Sequence, residues 1–261
     1  MFNKNVGRIL NGDGSGLRVA FGREEIPCTT IISNVDLTKT VFELIGANKF
    51  RPASIEKFKN VEPSISAFEV FLGLDVDMTR ICPDDYEIFV NSGYDINKHY
   101  ADSLGNNART APFVITINSN VNKFSAPKGR SIVTLIMLAG YDYWISKSRS
   151  EYEDKKERVA DILVDRASKV IPEIRSHIQK KVVSTPVTFQ RYTNNSAGAI
   201  YGYSRTLRGM QEVRPNYIKD IPNLYFASAW AKQGSGVLKV LYSAEGVYRK
   251  MSRRSQEGVK V

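Results

Sequence analysis

The sequence predicts a mixed α/β protein, and three patterns carry that prediction. Several short segments are rich in β-branched and aromatic residues and end at Pro, Gly, Asn or Asp, as strands do. Residues 151–170 instead repeat apolar side chains at three- and four-residue steps, which is typical of an amphipathic helix. Residues 221–251 combine a buried strand, a glycine-rich turn and a second such helix. The 42% hydrophobic and 25% charged residues are ordinary globular usage.

The first fifty residues predict three strands and one helix. Residues 6–10 and 17–21 alternate in the manner of a hairpin, and residues 29–33 form a third strand. A helix follows, with Asp36 or Thr38 as its N-cap, and Gly46 ends it.

The middle of the chain predicts longer strands and one clear helix. The strands are expected at residues 64–74, 86–90, 113–118 and 130–138, and the helix at 151–170 ends before Pro172. Residues 187–192 are compatible with a further strand. Asn194, Asn195, Gly198 and Gly202 then require turns.

The C-terminal segment predicts a strand at residues 223–227, a tight turn at Gly234 and Gly236, and a long helix. Its apolar stripe consists of Val237, Val240, Leu241, Ala244, Val247, Tyr248 and Met251. A helix that begins directly after such a turn leaves unpaired N–H groups, which suit an anion or the electron-rich edge of a cofactor. Glycines also serve packing alone, so the pattern by itself leaves both interpretations open.

Four segments taken together resemble one known family. They are STPVTFQRYTNNSAGAIYGYSRT, IPNLYFASAW with GSGVLKVLYSAEG, TTIISNVDLTKTVFELIG, and GRSIVTLIMLAGYDYW. Their residues and their order resemble the C-terminal half of the FAD-dependent phytoene desaturase, carotenoid isomerase and retinol saturase family, in the amine-oxidase-like superfamily. The resemblance implies FAD as cofactor and a polyene or another lipid as substrate.

The resemblance also implies a domain plan. Residues 1–48 and 216–261 correspond to remnants of a Rossmann-like FAD-binding domain. Residues 49–215 correspond to a mixed-sheet substrate-binding domain inserted between them. Residues 29–33 and 223–227 are then expected to be neighbouring strands of one sheet.

Site residues follow from the same resemblance. The implied cofactor contacts are Ser33, Asn34, Ser228, Ala229, Trp230, Gly234, Ser235, Gly236 and Val237. Arg191, Tyr192 and Tyr201 are implied to line the substrate tunnel, with a surface ion pair and core packing as the alternative roles. No residue is assigned a catalytic role.

The absence of one family motif bears directly on function. Relatives hold the FAD pyrophosphate with a G-x-G-x-x-G turn, and this sequence contains none. NGDGSG comes closest, but Leu17 stands where the third glycine is needed. We therefore expect a natural truncation, a split-gene product or an expressed fragment, which alone does not retain FAD.

Three functions remain open from the sequence. The first is the C-terminal portion of a flavin-dependent oxidoreductase that desaturates, saturates or isomerises a polyene or other lipid. The second is a non-catalytic lipid-binding or accessory module, completed by an N-terminal half on another chain. The third is an amine-oxidase-like fragment, which the TPVTFQRYT segment disfavours.

Composition excludes several other classes. The net charge is +10, but the cations are interleaved with acids, which argues against a nucleic-acid partner. Cys28, Cys82, His99 and His177 match no metal or redox motif, and reduced thiols in a cytoplasmic protein are expected. The longest apolar run is too short to span a bilayer. Residues 249–254 form a compact basic group, either a solvated helix end or a contact with anionic lipid headgroups in a peripheral membrane protein.

Overall fold

The computed structural model describes residues 4–12, 16–206, 215–232 and 234–256. These residues fall into two compact units. The first unit comprises residues 1–64, 194–196 and 201–261, and the second comprises residues 65–193 and 197–200. The assignment of cofactor and substrate domains to parts of the chain stays a prediction.

The first unit begins with a three-stranded antiparallel sheet. Its strands are β1 (Arg8–Gly12), β2 (Gly16–Phe21) and β3 (Glu24–Cys28), in the order β1-β2-β3. The predicted hairpin is confirmed, and its turn residues 13–15 lie outside the described residues. β3 was not predicted, because Glu24, Glu25 and Pro27 are poor strand formers. Its hydrogen-bonded pairing with β2 stabilises the strand in their place.

A parallel strand pair joins the two ends of the chain. β4 (Ile31–Ser33) pairs with β10 (Leu224–Phe226), with Ile31 opposite Leu224 and Ser33 opposite Phe226. The prediction that these two segments are neighbours is therefore confirmed. Parallel strands require a crossover connection, and here nearly the whole chain lies between the two strands.

Two helices follow β4. Helix α1 (Leu37–Lys39) is capped by Asp36, whose carboxylate accepts hydrogen bonds from the N–H groups of Thr38 and Lys39. It continues as a wider π-helical turn (Thr40–Ile45) that ends at Gly46. Helix α2 (Pro52–Lys59) was not predicted, and it begins with a proline in the position that helices favour.

The five strands of the second unit form one antiparallel sheet. They are β5 (Ser66–Leu74), β6 (Glu87–Val90), β7 (Phe113–Ile117), β8 (Ser131–Ala139) and β9 (Ile178–Ser184), in the order β6-β7-β8-β5-β9. The four predicted strands are confirmed. The expected mixed sheet is not, because every described pairing in this sheet is antiparallel. β9 was missed because Lys180 and Lys181 interrupt it, as lysines often do on an edge strand.

The core of the second unit lies on one face of this sheet. Helix α3 (Ile96–Leu104) and the short helix α4 (Asn118–Val121) connect strands, and helix α5 (Arg149–Ser168) packs on the core face. The buried residues of α5 are Val159, Ala160, Leu163, Val164 and Ala167. Trp144 stacks on Phe68 with ring centroids 5.0 Å apart, and its indole N–H donates to the side-chain oxygen of Asn106 at 2.8 Å. Buried apolar area of this kind is the main source of stability.

The strand predicted at residues 187–192 is wrong. The structure has helix α6 (Pro186–Thr193) there. Pro186 occupies a position that helices tolerate, and Thr185 and Thr188 exchange side-chain to backbone hydrogen bonds at 3.2 and 3.4 Å across the helix start. The β-branched Val187 and Thr188 suggested a strand, but this local capping outweighs their weak strand preference.

Helix α7 (Val237–Gln256) does not bury the stripe predicted for it. Val247 is buried, but Val237, Leu241 and Tyr248 have 82%, 61% and 71% of their surface exposed. The spacing correctly places these residues on one helix. Spacing cannot show whether another element covers these side chains. Among the described residues, no element covers them.

The basic end of α7 has structural partners. Arg249 forms an ion pair with Glu245 at 2.7 Å. Arg254 lies over the ring of Tyr217, 4.5 Å from its centroid, and donates to the hydroxyl of Tyr225 at 3.3 Å. Part of this basic group therefore has partners within the protein, a role that neither predicted alternative included.

Candidate functional site

The carboxyl ends of β4 and β10 place the two halves of the predicted cofactor site together. The backbone N–H of Ala227 donates to the carbonyl of Ser33 at 3.0 Å, so Ser33-Asn34 and Ser228-Ala229 leave the sheet at the same edge. Ser33 and Ser228 are buried, whereas Asn34 is exposed. Ligands of open α/β sheets bind at such an edge, outside the carboxyl ends of parallel strands.

Hydrogen bonds hold both serines in place. The hydroxyl of Ser33 shares a hydrogen bond of 2.9 Å with that of Thr40 on the following helical turn. The hydroxyl of Ser228 accepts from the backbone N–H of Trp230 at 3.2 Å. Trp230 is itself buried, and its indole N–H donates to Asn195 at 3.3 Å. The Trp230 side chain therefore packs within this edge, and its predicted contact with the cofactor stays a prediction.

Gly202 brings the 194–206 segment against the same edge. Its φ is +73°, and a Cβ built on it would lie 2.5 Å from the carbonyl oxygen of Ala229. Only glycine permits backbone approach this close with positive φ. The backbone N–H of neighbouring Tyr201 donates to Ser64 at 3.0 Å, while the Tyr201 side chain is 45% exposed.

The two glycines of the C-terminal turn have different roles. Gly234 has φ +76° and is buried, and a Cβ there would lie 2.9 Å from the hydroxyl of Tyr203, so packing explains it. Gly236 has φ +98° and is exposed, and a Cβ there would meet nothing within 4 Å. The turn is therefore open at Gly236, where α7 begins. Gln233, the first residue of the predicted turn, lies outside the described residues.

The second unit carries a different candidate surface on the sheet face opposite its core. One row of side chains crosses all five strands on that face: Phe89, Val114, Ile136, Glu69 and Ser184. Phe89 is 68% exposed, and Val114, Ile136 and Glu69 are partly exposed. We call this row, with Phe71 of the next row, the second face of the sheet.

Glu69 is a residue of this surface that was not predicted from the sequence to have a functional role. It is half-buried among apolar neighbours, and burial raises the pKa of its carboxyl. Among the described residues, no cation or hydrogen-bond donor pairs with that carboxyl. In the sequence, Glu69 occupies an alternate position of a strand and resembles an ordinary solvent-facing residue. The only available signal was an acid between Phe68 and Val70 in an otherwise apolar run.

We expect Glu69→Gln to stabilise the protein at neutral pH. A carboxyl with a raised folded-state pKa contributes stability below its unfolded pKa, roughly 4.3, and that contribution is lost as pH rises through the folded pKa. The neutral amide avoids the cost of burying the charge. Because Glu69 is partly exposed, solvent screening limits the gain to about 1–3 °C in the thermal midpoint at pH 8.

Thermal unfolding from pH 4 to pH 8 measures this effect, and Glu87→Gln is the matched control. Glu87 lies on the same face but on the edge strand β6, where it is exposed. We expect the difference between Glu69→Gln and the parent to grow as pH rises, and Glu87→Gln to show no such trend. Equal trends in both variants would contradict the role of burial.

The residues predicted to line the substrate tunnel are divided between the units. Arg191 and Tyr192 belong to the second unit, where the Arg191 guanidinium lies 5.0 Å from the centroid of the Tyr192 ring. Both border a cavity of about 320 Å³. Tyr201 belongs to the first unit. Their role in binding substrate stays a prediction.

Comparison with known proteins supplies the family. Residues 2–245 match the family described as "Flavin containing amine oxidoreductase". The chain belongs to this flavin-containing amine oxidoreductase family. The structure of putrescine oxidase bound to putrescine superposes on this chain with a TM-score of 0.59 at 12% identity, over 96% of this chain and 49% of that one. The match shows that the two chains share a fold.

Two curated relatives of this amine oxidoreductase are named as an isomerase of prolycopene and a desaturase of 4,4'-diapophytoene. A chloroplastic prolycopene isomerase of Daucus carota is 27% identical over 251 residues, which cover 93% of this chain and 38% of the relative. A 4,4'-diapophytoene desaturase of Staphylococcus aureus is 25% identical over 213 residues, covering 78% of this chain and 41% of the relative. The resemblance to the desaturase and isomerase family is confirmed. The chain spans about two fifths of the length of these relatives.

The family implies FAD, and part of this chain fits it. The turn at Gly236 offers backbone N–H groups at the start of α7 and a space that no side chain fills. Ser33, Ser228 and the N–H groups of residues 235–237 are the groups that would hold the cofactor there. These assignments remain predictions.

Proposed function

We propose that this chain supplies the substrate surface and one edge of the flavin site of an oxidoreductase that desaturates, saturates or isomerises a polyene or similar lipid. The observation that carries the proposal is the parallel pairing of β4 with β10, which brings Ser33 and Ser228 to one edge. The carotenoid relatives support a polyene as the substrate. Flavin, when bound, supplies hydride transfer, and the chain supplies position and a dry surface.

The second face of the sheet is the surface that we assign to the substrate. Its row of Phe89, Val114 and Ile136 offers apolar area to a hydrocarbon chain, and rigid strands hold that row at fixed spacings. Burial of a polyene against it would be favourable at roughly 25 cal/mol per Å² of apolar surface removed from water. Excluding water also strengthens any electrostatic contact near the reacting carbons.

Expression in cells that accumulate a colourless acyclic polyene tests the proposal. The protein tested is this chain together with any encoded segment that completes it. We expect the purified protein to contain flavin, and the cells to contain polyene with a changed number or geometry of double bonds, as separated by chromatography. Polyene binding without flavin and without product would instead indicate the accessory module.

One observation favours a second candidate, an amine-oxidase-like activity. Glu69 places a carboxyl on the apolar second face, where an ammonium group of a substrate could pair with it. The fold is also that of putrescine oxidase. Release of hydrogen peroxide on addition of small amines to the flavin-loaded protein, with no change in the polyene, would establish this alternative and exclude the first.

We also propose a peripheral contact with a lipid bilayer. Within the described ranges, no helix is both long and apolar enough to cross a membrane. Helix α3 nevertheless exposes Ile96, Tyr100 and Leu104 along one side, and Tyr94 precedes it fully exposed. Tyrosine and aliphatic side chains in this arrangement favour the membrane interface. Cosedimentation with lipid vesicles tests this contact in the parent and in the double variant Tyr94→Ser with Ile96→Ser. Equal cosedimentation of the two proteins would exclude this surface.

A further inference from the structure

The second unit contains a cavity that borders the second face of the sheet at Ser184. It lies among the first half of α5, the edge strand β9 and helix α6, and its volume is about 320 Å³. That volume is at the lower end of the range for small-molecule sites, roughly 300–1,000 Å³. All of its lining residues belong to the second unit, so its geometry does not depend on any other part of the chain.

The lining combines apolar surface with a cation. Val182, Val183 and Val187 supply the apolar part. The Arg191 guanidinium lies 5.0 Å from the centroid of the Tyr192 ring, and both side chains are exposed at the mouth of the cavity. Among the residues that the structure describes, no carboxylate pairs with Arg191. A guanidinium held on an aromatic ring is oriented but keeps its donors available for a carboxylate.

The other charges of the lining nearly cancel. Lys156 contacts the carboxylate of Glu153, and its ammonium lies 5.6 Å from the centroid of the Tyr152 ring. With Arg191 added, the formal charge of the cavity is one positive unit, since the two cations outnumber the single acid. The cavity therefore matches one anionic group rather than a cation or a neutral hydrocarbon.

Hydrogen bonds fix the walls around this charge. The hydroxyl of Tyr152 shares a hydrogen bond of 2.9 Å with that of Thr185, which is fully buried. Thr185 also begins α6, the helix that carries Arg191. A cation in the last turn of a helix is favourable in any surface helix, but here it stands beside a cavity bordered by valines.

We propose that this cavity binds a monoanionic amphiphile, a carboxylate attached to a hydrocarbon chain. Arg191 binds the carboxylate, and the valines and tyrosine rings contact the hydrocarbon. The site shares Ser184 with the second face and uses Arg191 and Tyr192, which were predicted to line the substrate tunnel. It requires no flavin, so its test does not depend on the proposed activity. Its volume accommodates the carboxyl end of such a molecule and its first carbons.

Fluorescence titration of the purified chain with cis-parinaric acid tests the proposal, with the corresponding parinaryl alcohol as the uncharged probe. We expect saturable binding of the acid and weaker binding of the alcohol. Arg191→Gln should weaken binding of the acid by about tenfold or more, because a charge-assisted hydrogen-bonded pair is lost. The affinity for the alcohol should not change. Arg191→Lys should retain part of the affinity for the acid.

Arg158→Gln is the matched control, since Arg158 is exposed on the same helix as Lys156 and does not line the cavity. We expect it to change the affinity for the acid by less than about twofold. Val187→Trp should abolish binding of both probes by filling the cavity, with circular dichroism to verify folding. Equal affinity for acid and alcohol, equal effects of Arg158→Gln and Arg191→Gln, or no saturable binding of the acid to the parent would each overturn the proposal.

Discussion

Gly202→Ala is expected to destabilise the protein by about 2–5 kcal/mol, which combines strain at positive φ with overpacking. A Cβ at residue 202 would lie 2.5 Å from the carbonyl oxygen of Ala229 and 2.7 Å from its carbonyl carbon. Both are backbone atoms, so no side chain can rotate away. The backbone after β10 must move, and it carries Ser228 and Ala229, two of the predicted cofactor contacts.

Chemical denaturation of the parent and variant measures this loss. Gly246→Ala is the control, because Gly246 lies inside α7, and a Cβ there would meet nothing within 4 Å. In that helical position alanine is favoured over glycine by about 0.5–1 kcal/mol, so the two substitutions should have opposite signs. If Gly202→Ala lowered the free energy of unfolding by less than about 1 kcal/mol, the contact with Ala229 would not constrain the fold.

Gly236→Val is expected to weaken flavin binding roughly ten- to hundredfold per folded molecule. Its φ of +98° is costly for any β-branched residue, by about 1–3 kcal/mol. The space above Gly236 is open, so a valine would project into the region that we assign to the cofactor rather than into protein. Flavin titration with thermal unfolding separates the two effects.

The control for Gly236→Val has to be a buried residue of α7. Val247 is 2% exposed, so Val247→Ala should cost about 1–3 kcal/mol of stability while flavin affinity per folded molecule stays unchanged. Leu241→Ala does not serve this purpose, because Leu241 is 61% exposed and its truncation should cost less than about 1 kcal/mol. If Gly236→Val bound flavin as tightly as the parent, the turn would be a packing feature only.

Local sequence determined much of the fold of this protein. Alternation and β-branched residues identified β5, β7 and β8, and helical spacing identified α5, because each of these patterns lies within one element. Motifs with a family resemblance went further and predicted that β4 and β10 are neighbours in one sheet, although nearly the whole chain separates them. Periodicity could not have done so, since it carries no information about which distant strands pair.

Only the tertiary structure decided which surfaces these elements bury. Leu241 and Val247 belong to the same predicted stripe, yet one is exposed and the other buried, because burial depends on what packs against the helix. Glu69 has the sequence pattern of a solvent-facing strand residue, and its environment is set by Ile136 and Ser184 on neighbouring strands. Arg191 gains its cavity in the same way, from α5 and β9 rather than from its own helix. Such contacts join residues far apart in sequence, and the free energy that selects them is the burial of surface shared between elements.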